Sequence, residues 1–284
     1  MPAPKIAAIH DLSGFGRCSL TIVMPVLAAM GLQCCPLPTA YLSTHTGGFS
    51  GNTFLDMTDA MAGAMAHWSS LSLTFDAIYT GFMGSVRQME LAAGFFPRAA
   101  FTVVDPVMGD HGKPYRTYTP EMCRAMGHLA QRADLITPNH TEAALLLQIP
   151  YESLRTGKAA ETELLHRLSL DGSRSVVLTG VSLSPGKTGA ACFDRDDGSI
   201  HLIQTDFVAR SFHGTGDLFA SVLTGSLVQG CRLAEAAARA AEFVRLCAAH
   251  TAPLHLPQRE GIEFEPLLGR LAPGAAPMGG TAHV

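Results

Sequence analysis

Apolar runs of four to seven residues recur along this chain, each closed by glycine, proline or a polar residue. Residues 5–10, 33–44, 76–84, 101–107, 134–139 and 175–180 read as strands with little polar alternation, as strands covered on both faces do. Between them the period changes to that of a helix. Residues 19–30, 53–68, 86–95, 120–132 and 233–250 place apolar side chains on one face, and Leu218, Phe219, Val222 and Leu223 do the same after residue 217. Met57, Met61 and Met65 repeat at helical spacing and are read as core. Residues 189–194 and 200–205 form a hairpin around Asp196, Asp197 and Gly198. Strands alternating with helices predict an α/β fold with a parallel sheet.

Composition narrows the functional classes. Of 284 residues 47% are hydrophobic and 15% charged, which supports a large core and argues against disorder. A formal charge of −4 offers no footprint for nucleic acid. No apolar run reaches membrane-spanning length, and residues 1–10 carry no leader pattern, so no membrane partner is expected. Seven cysteines without framework spacing suggest reduced thiols and a cytoplasmic protein. Twelve histidines form no zinc motif. Only Gly14 and Gly16 stand in the first turn, which falls short of a dinucleotide fingerprint. Residues 180–188 resemble a P-loop, but five residues separate Gly180 from Gly186 and a strand follows, so a Walker-type NTPase is rejected. After Pro266 the chain turns to Gly, Pro and Ala, and a flexible tail is expected over 267–284.

The chemistry concentrates in four stretches. Gly214, Thr215 and Gly216 precede a helix, where free N–H groups and the helix dipole favour a phosphate. Asp217 follows in the first turn, placed to take a proton from a substrate hydroxyl; the plainer reading is a dipole-stabilised carboxylate. Asp105 ends a buried strand and needs a cation or donors to satisfy it. Thr137, Asn139 and Glu142 cluster at a strand-to-helix turn and could join Asp105 around a hard cation; Asn139 and Glu142 also fit a capping box. His45, Thr46 and Gly47, within residues 43–48, suit a small polar ligand or an ordinary turn. Residues 108–119 read as a long loop of the kind that serves as a lid.

Taken together, residues 43–48 (STHTGG), 105–110 (DPVMGD), 137–142 (TPNHTE) and 214–217 (GTGD) resemble the pyridoxal kinases of the ribokinase superfamily over roughly residues 5 to 250. The resemblance implies one ribokinase-like three-layer α/β/α domain over residues 1–266, with a mostly parallel central sheet, in a homodimer. It implies ATP-dependent phosphorylation of the 5′-hydroxymethyl group of pyridoxal, pyridoxine or pyridoxamine. By position it makes Asp217 the base and Gly214, Thr215 and Gly216 the anion hole. It makes Asp105, Thr137 and Glu142 the Mg2+ set, with K+ a candidate monovalent ion. His45, Thr46, Gly47, Asp11 and Phe82 fall on the vitamer side. Asp105, Asp110, Tyr115, Asn139, Glu142, Thr179, Phe212, His213, Gly214 and Gly216 fall on the ATP side.

Three positions depart from the pattern: Asp11 replaces a Ser against the pyridine ring, Phe82 replaces a Tyr, and Gly180 replaces a hydroxyl residue. Asp11 and His213 keep hydroxymethylpyrimidine (phosphate) kinase as the alternative, although its loop typically reads Gly-Thr-Gly-Cys where this chain has Asp217. The rival from another class is a non-catalytic vitamer-binding protein on the same scaffold.

Overall fold

Alternate residues of each strand feed two separate cores. The computed structural model describes residues 2–276 and the backbone of residues 282–283. In β1 (Lys5–Ser13), Ile6 and Ala8 pack into one cluster, and Ala7 and Ile9 into the other. β4 (Ala77–Thr80) divides in the same way, with Ala77 and Tyr79 on one side and Ile78 on the other. A strand needs apolar side chains on both faces only when helices cover both faces of its sheet.

The first face carries α1 (Leu20–Ala29), α7 (Thr215–Val228) and α8 (Leu233–Thr251). The second carries α2 (Thr58–Ser70), α3 (Val86–Phe95), α4 (Pro120–Ala130), α5 (His140–Leu147) and α6 (Lys158–Leu168). The architecture is the expected three-layer α/β/α sandwich.

The remaining strands are β2 (Gln33–Leu42), β3 (Phe54–Asp56), β5 (Thr102–Val104), β8 (Leu135–Ile136), β9 (Ser175–Val181), β10 (Lys187–Phe193), β11 (Ile200–Asp206) and β12 (Ala282–His283). A two-residue hairpin, β6 (Gly109–Asp110) with β7 (Lys113–Pro114), stands apart. The main sheet runs β12-β11-β10-β9-β8-β5-β4-β1-β2-β3. The six strands from β9 to β2 are parallel, while β3 at one edge and β10 to β12 at the other are antiparallel.

Several elements differ from the sequence reading. The expected helix over 53–68 begins only at Thr58, because Phe54–Asp56 adds an edge strand to β2 and the Asp56 carboxylate accepts the Thr58 N–H at 2.7 Å. Met61 and Met65 are core as expected, whereas Met57 is only half-buried before the helix. Helix α6 was missing from the reading altogether; its polar run, KAAETELLHRL, buries only Glu161, Leu164, Leu165 and Leu168. β1 extends three residues beyond its expected end, with a register shift at Asp11, so this residue lies in the sheet and not in the glycine turn.

The tail boundary at 266 also falls short. Glu265–Leu271 forms a 3-10 helix, Leu271 is fully buried, and its carbonyl accepts from Arg239. The expected flexibility beyond it concerns residues 277–281 and 284, which lie outside the described residues. The hairpin at 187–206 is present. Lys187 of the P-loop-like run lies on β10 and forms an exposed ion pair with Asp206 of β11.

Candidate active site

The parallel strands deliver their C-terminal ends to one edge, which is where open α/β sheets gather ligand-binding residues. Asp105 leaves β5 at this edge, tied through its N–H to the Thr80 carbonyl of the neighbouring strand at 2.9 Å. Thr137 leaves β8 beside it, with its N–H on the Val104 carbonyl at 3.1 Å. The Thr137 hydroxyl is buried toward the Asp105 carboxylate but completes no hydrogen bond. The Thr80 hydroxyl is likewise buried and unpartnered.

Asp217 comes from the opposite side, in the first turn of α7. Gly214 is the residue that turns the chain into that helix. Its φ of 83° lies in the left-handed region, and a Cβ there would sit 2.3 Å from the Arg17 carbonyl. Gly216 is the opposite case. A Cβ on it would meet nothing within 4 Å, so packing does not demand a glycine. What glycine leaves there is open approach to the helix N-terminal amides, the geometry an anion needs.

The electrostatics agree with this convergence. Burial raises the Asp217 carboxyl to about 7, and Asp11 pushes it the same way; the Ser19 N–H directed at it works against both. Burial also raises Asp105, and the charge of Asp217 adds to it. Glu142 is raised by burial and then by Asp105. Asp217 therefore disfavours the charge of Asp105, and Asp105 that of Glu142, while among the described residues no Lys or Arg forms a salt bridge with any of the three. Such a cluster is stable as anions only with a cation among them.

Glu142 and Asn139 also serve the backbone. The Asn139 side chain accepts the Glu142 N–H at 2.9 Å, and the Glu142 carboxylate accepts the Asn139 N–H at 2.9 Å, so the capping box is real. The second Glu142 oxygen accepts the Met108 N–H at 3.1 Å, and the Asn139 amide donates to the Gly109 carbonyl at 2.9 Å. Both side chains thus anchor the 108–119 segment. Each Glu142 oxygen keeps one lone pair for a further ligand.

The phosphomethylpyrimidine kinase family pattern matches residues 24–260. The chain belongs to that family. A Bacteroides thetaiotaomicron protein described as a phosphomethylpyrimidine kinase, crystallised with pyridoxal, is 42% identical; it superposes with a TM-score of 0.89 over 95% of this chain and 96% of its own. Pyridoxal kinase from Lactobacillus plantarum is 32% identical, with a TM-score of 0.87 over 94% and 96% of the two chains. The pyridoxine/pyridoxal/pyridoxamine kinase of Bordetella bronchiseptica is 28% identical over 255 residues, 84% of this chain and 87% of that protein. The resemblance to pyridoxal kinases of the ribokinase superfamily, read from four short motifs, is borne out.

Within this kinase family frame, the other expected site residues divide. Asp11 is buried, accepting the Ser13 hydroxyl at 2.8 Å and the Ser19 hydroxyl at 2.5 Å, and is close enough to Asp217 to disfavour its charge. Phe82 is half-buried with its ring 6.4 Å from that of Tyr118. Asp110 is exposed on the β6–β7 hairpin and accepts the His111 N–H. Tyr115 follows that hairpin, and Glu142, Asp110, Asp217 and Asp105 all raise its hydroxyl after burial does. Tyr115 therefore hangs beside the carboxylate cluster. Thr46 is exposed, and the Thr179 hydroxyl points to the Pro138 carbonyl at 3.4 Å. The hydroxyl of Thr215 turns back to the Phe212 carbonyl at 3.4 Å, so only its backbone N–H could face an anion.

Two residues behave otherwise than expected. His45 spends both ring nitrogens on the protein: Nδ1 accepts the Gly47 N–H at 3.0 Å, which leaves Nε2–H to donate to the Arg259 carbonyl at 2.7 Å. It shapes the 43–48 segment and leaves no ring nitrogen free for a ligand. Phe212 packs into the core, so only its backbone faces the loop. His213 is half-buried, 5.0 Å from the His45 ring, and burial lowers its pKa.

Sequence reasoning also missed a strap. Residues 257–265 cross the site, with the Ile262 N–H on the His213 carbonyl at 3.0 Å. Arg17 of the glycine turn pairs with Glu265 at 2.7 Å and Glu263 at 3.3 Å. The alternation of buried Ile262 and Phe264 with Glu263 and Glu265 was the available signal.

A cavity of about 410 Å³ lies elsewhere, between α4, α5 and α6, with Tyr118, Leu147 and Arg174 in its walls. It contains none of the motif residues. Arg174 there caps the ends of α4 and α6 through the Ala130 and Leu168 carbonyls.

Proposed function

We propose that this protein is an ATP-dependent kinase that transfers the γ-phosphoryl group to the 5′-hydroxymethyl group of pyridoxal, pyridoxine or pyridoxamine. The observation that carries the chemistry is Asp217: a carboxyl raised to about 7, in the first turn of a helix whose leading glycine, Gly216, leaves the amides open. A base poised near the working pH is what deprotonation of an alcohol asks for. The relatives named for B6 vitamers supply the substrate class.

The hydroxyl oxygen of the vitamer attacks the γ-phosphorus and the bond to the bridging oxygen breaks. The proton moves to the Asp217 carboxylate, and ADP leaves with the bridging oxygen. The Gly214 to Gly216 amides face the charge on the moving group. Tyr115 and the β6–β7 hairpin, anchored by Asn139 and Glu142, close over the nucleotide and exclude water. Asp105, Glu142 and the unpartnered Thr137 hydroxyl fit a hard divalent cation that also binds phosphate oxygens. Mg2+ held there would neutralise the carboxylate cluster and the phosphates together. Among the described residues no three His, Cys, Asp or Glu side chains surround a single point, in keeping with a cation whose other ligands are phosphate and water. Tyr41, Phe54 and Leu55 expose apolar surface at the β2–β3 edge, which supports pairing with a second copy of this chain.

The specific observation for the second reading is Asp11, a carboxylate beside Asp217 that suits the amine of hydroxymethylpyrimidine as well as a protonated ring nitrogen. ADP formation by the purified protein, with Mg2+ and K+ present, separates the two. We expect turnover highest with a B6 vitamer. Turnover highest with hydroxymethylpyrimidine overturns the substrate, and tight pyridoxal binding without ADP formation overturns the enzyme in favour of a binding protein.

A further inference from the structure

We propose that Ser19 is a positioning residue of this site, holding the substrate-side carboxylate of Asp11 with its hydroxyl from a backbone that starts α1. This rests on the role of Asp217 proposed above and extends it to a residue outside the four motifs.

The observation is a backbone outlier. Ser19 has φ 47° and ψ −132°, a conformation that glycine adopts freely and other residues adopt at a cost. It stands immediately before α1, where a serine is ordinarily explained as an N-cap. That explanation fails here, because its side chain makes no capping hydrogen bond and its backbone lies outside the extended region typical of a cap. The hydroxyl points away from the helix and donates to the Asp11 carboxylate at 2.5 Å. The carbonyl accepts the Ile22 and Val23 amides at 2.9 Å and starts the helix, and the Ser19 N–H favours the charged form of Asp217. The hydroxyl and the carbonyl are both committed, the one to a carboxylate on β1 and the other to the first turn of α1. Ser19 is almost wholly buried, so water does not substitute for either bond.

Glycine would remove the strain and keep the N–H and the carbonyl. Glycine lacks only the hydroxymethyl side chain, and among the described residues the one hydrogen bond of that side chain is to Asp11. The strained serine is therefore maintained for the orientation of Asp11 relative to Asp217. That relation sets where the acceptor ring lies with respect to the base, and a small displacement there costs rate without costing nucleotide affinity.

The test compares Ser19→Gly and Ser19→Ala in the full chain, measuring kcat and KM for acceptor and ATP separately, together with thermal midpoints. Glycine relieves the backbone, so this variant folds at least as well as Ser19→Ala. We expect kcat/KM for the acceptor to fall about tenfold in both variants, with KM for ATP within about twofold of wild type. In an Asp11→Asn background Ser19→Gly should cost no more than about twofold further, because its target is already altered. A purely structural role would instead lower the thermal midpoint and move both KM values together, with full additivity to Asp11→Asn, and would overturn the inference. So would wild-type kcat/KM for the acceptor in Ser19→Gly. The comparison uses whichever acceptor the wild type phosphorylates. If wild type phosphorylates none, the proposed function fails, and pyridoxal binding by calorimetry decides the Ser19 inference: weaker binding to Ser19→Gly supports it and unchanged binding overturns it.

Discussion

Replacing Asp217 with asparagine should make the unliganded protein more stable at pH 8 and nearly inactive. The two effects have one cause. In the folded chain burial lifts this carboxyl from 3.8 to about 7, with Asp11 adding to it. Such a group binds its proton more tightly when folded than when unfolded. Between pH 4 and 7 the unfolded chain releases that proton first, so stability falls as pH rises through this window and is flat outside it. Above pH 7 the ionised form costs the fold about 4 kcal/mol as a ceiling, reduced by solvent reaching this half-buried site.

Asparagine never ionises, so it avoids this cost. Losing the charge on the Ser19 N–H returns about 1 kcal/mol of it. A net gain of about 1–3 kcal/mol corresponds to a rise of a few degrees in the thermal midpoint for a chain of this size. The difference from wild type should shrink as pH falls to 4. The same substitution removes the acceptor of the substrate proton, and general-base loss costs about a hundredfold or more in kcat. The assays are thermal unfolding of both proteins from pH 4 to 8 and coupled ADP release. A variant less stable than wild type at pH 8 would refute the electrostatic reasoning. Turnover within a few-fold of wild type would refute the base.

Other substitutions separate the parts of the site. Gly214→Ala should unfold the loop or abolish soluble expression, since its Cβ would lie 2.3 Å from the Arg17 carbonyl at a φ of 83°; Gly216→Ala, with open space around it, should fold normally yet lose about tenfold or more in kcat/KM for ATP, checked by melting and kinetics. Lys187→Ala should change KM for ATP by less than about twofold, because this lysine is held by Asp206 in an exposed pair worth little; a large loss would revive the P-loop. Glu142→Gln keeps the shape but turns one N–H acceptor into a donor facing the Met108 or Asn139 amide. It should cost about 1–3 kcal/mol in denaturant unfolding and raise the Mg2+ concentration for half-maximal activity.

Much of this protein was determined by local sequence alone. Runs such as residues 5–10 and 101–107 announce buried parallel strands, because a strand covered on both faces has no polar side to show. The capping box of Asn139 and Glu142 spans three residues, so its geometry follows from local chain direction. The order of the motif residues along alternating strands and helices already sends Asp105 and Thr137 to one sheet edge. Tertiary structure decided the rest. Whether His45 is a free ligand or a spent one depends on the Arg259 carbonyl, 214 residues away. Whether residues 54–56 join a helix or an edge strand depends on the open edge of β2. The pairing of Arg17 with Glu263 and Glu265, and the strained backbone of Ser19 between Asp11 and Asp217, arise only when β1, α7 and the 257–265 strap converge. No window of sequence contains these contacts, because the partners are brought together by the closing of the two cores on either face of the sheet.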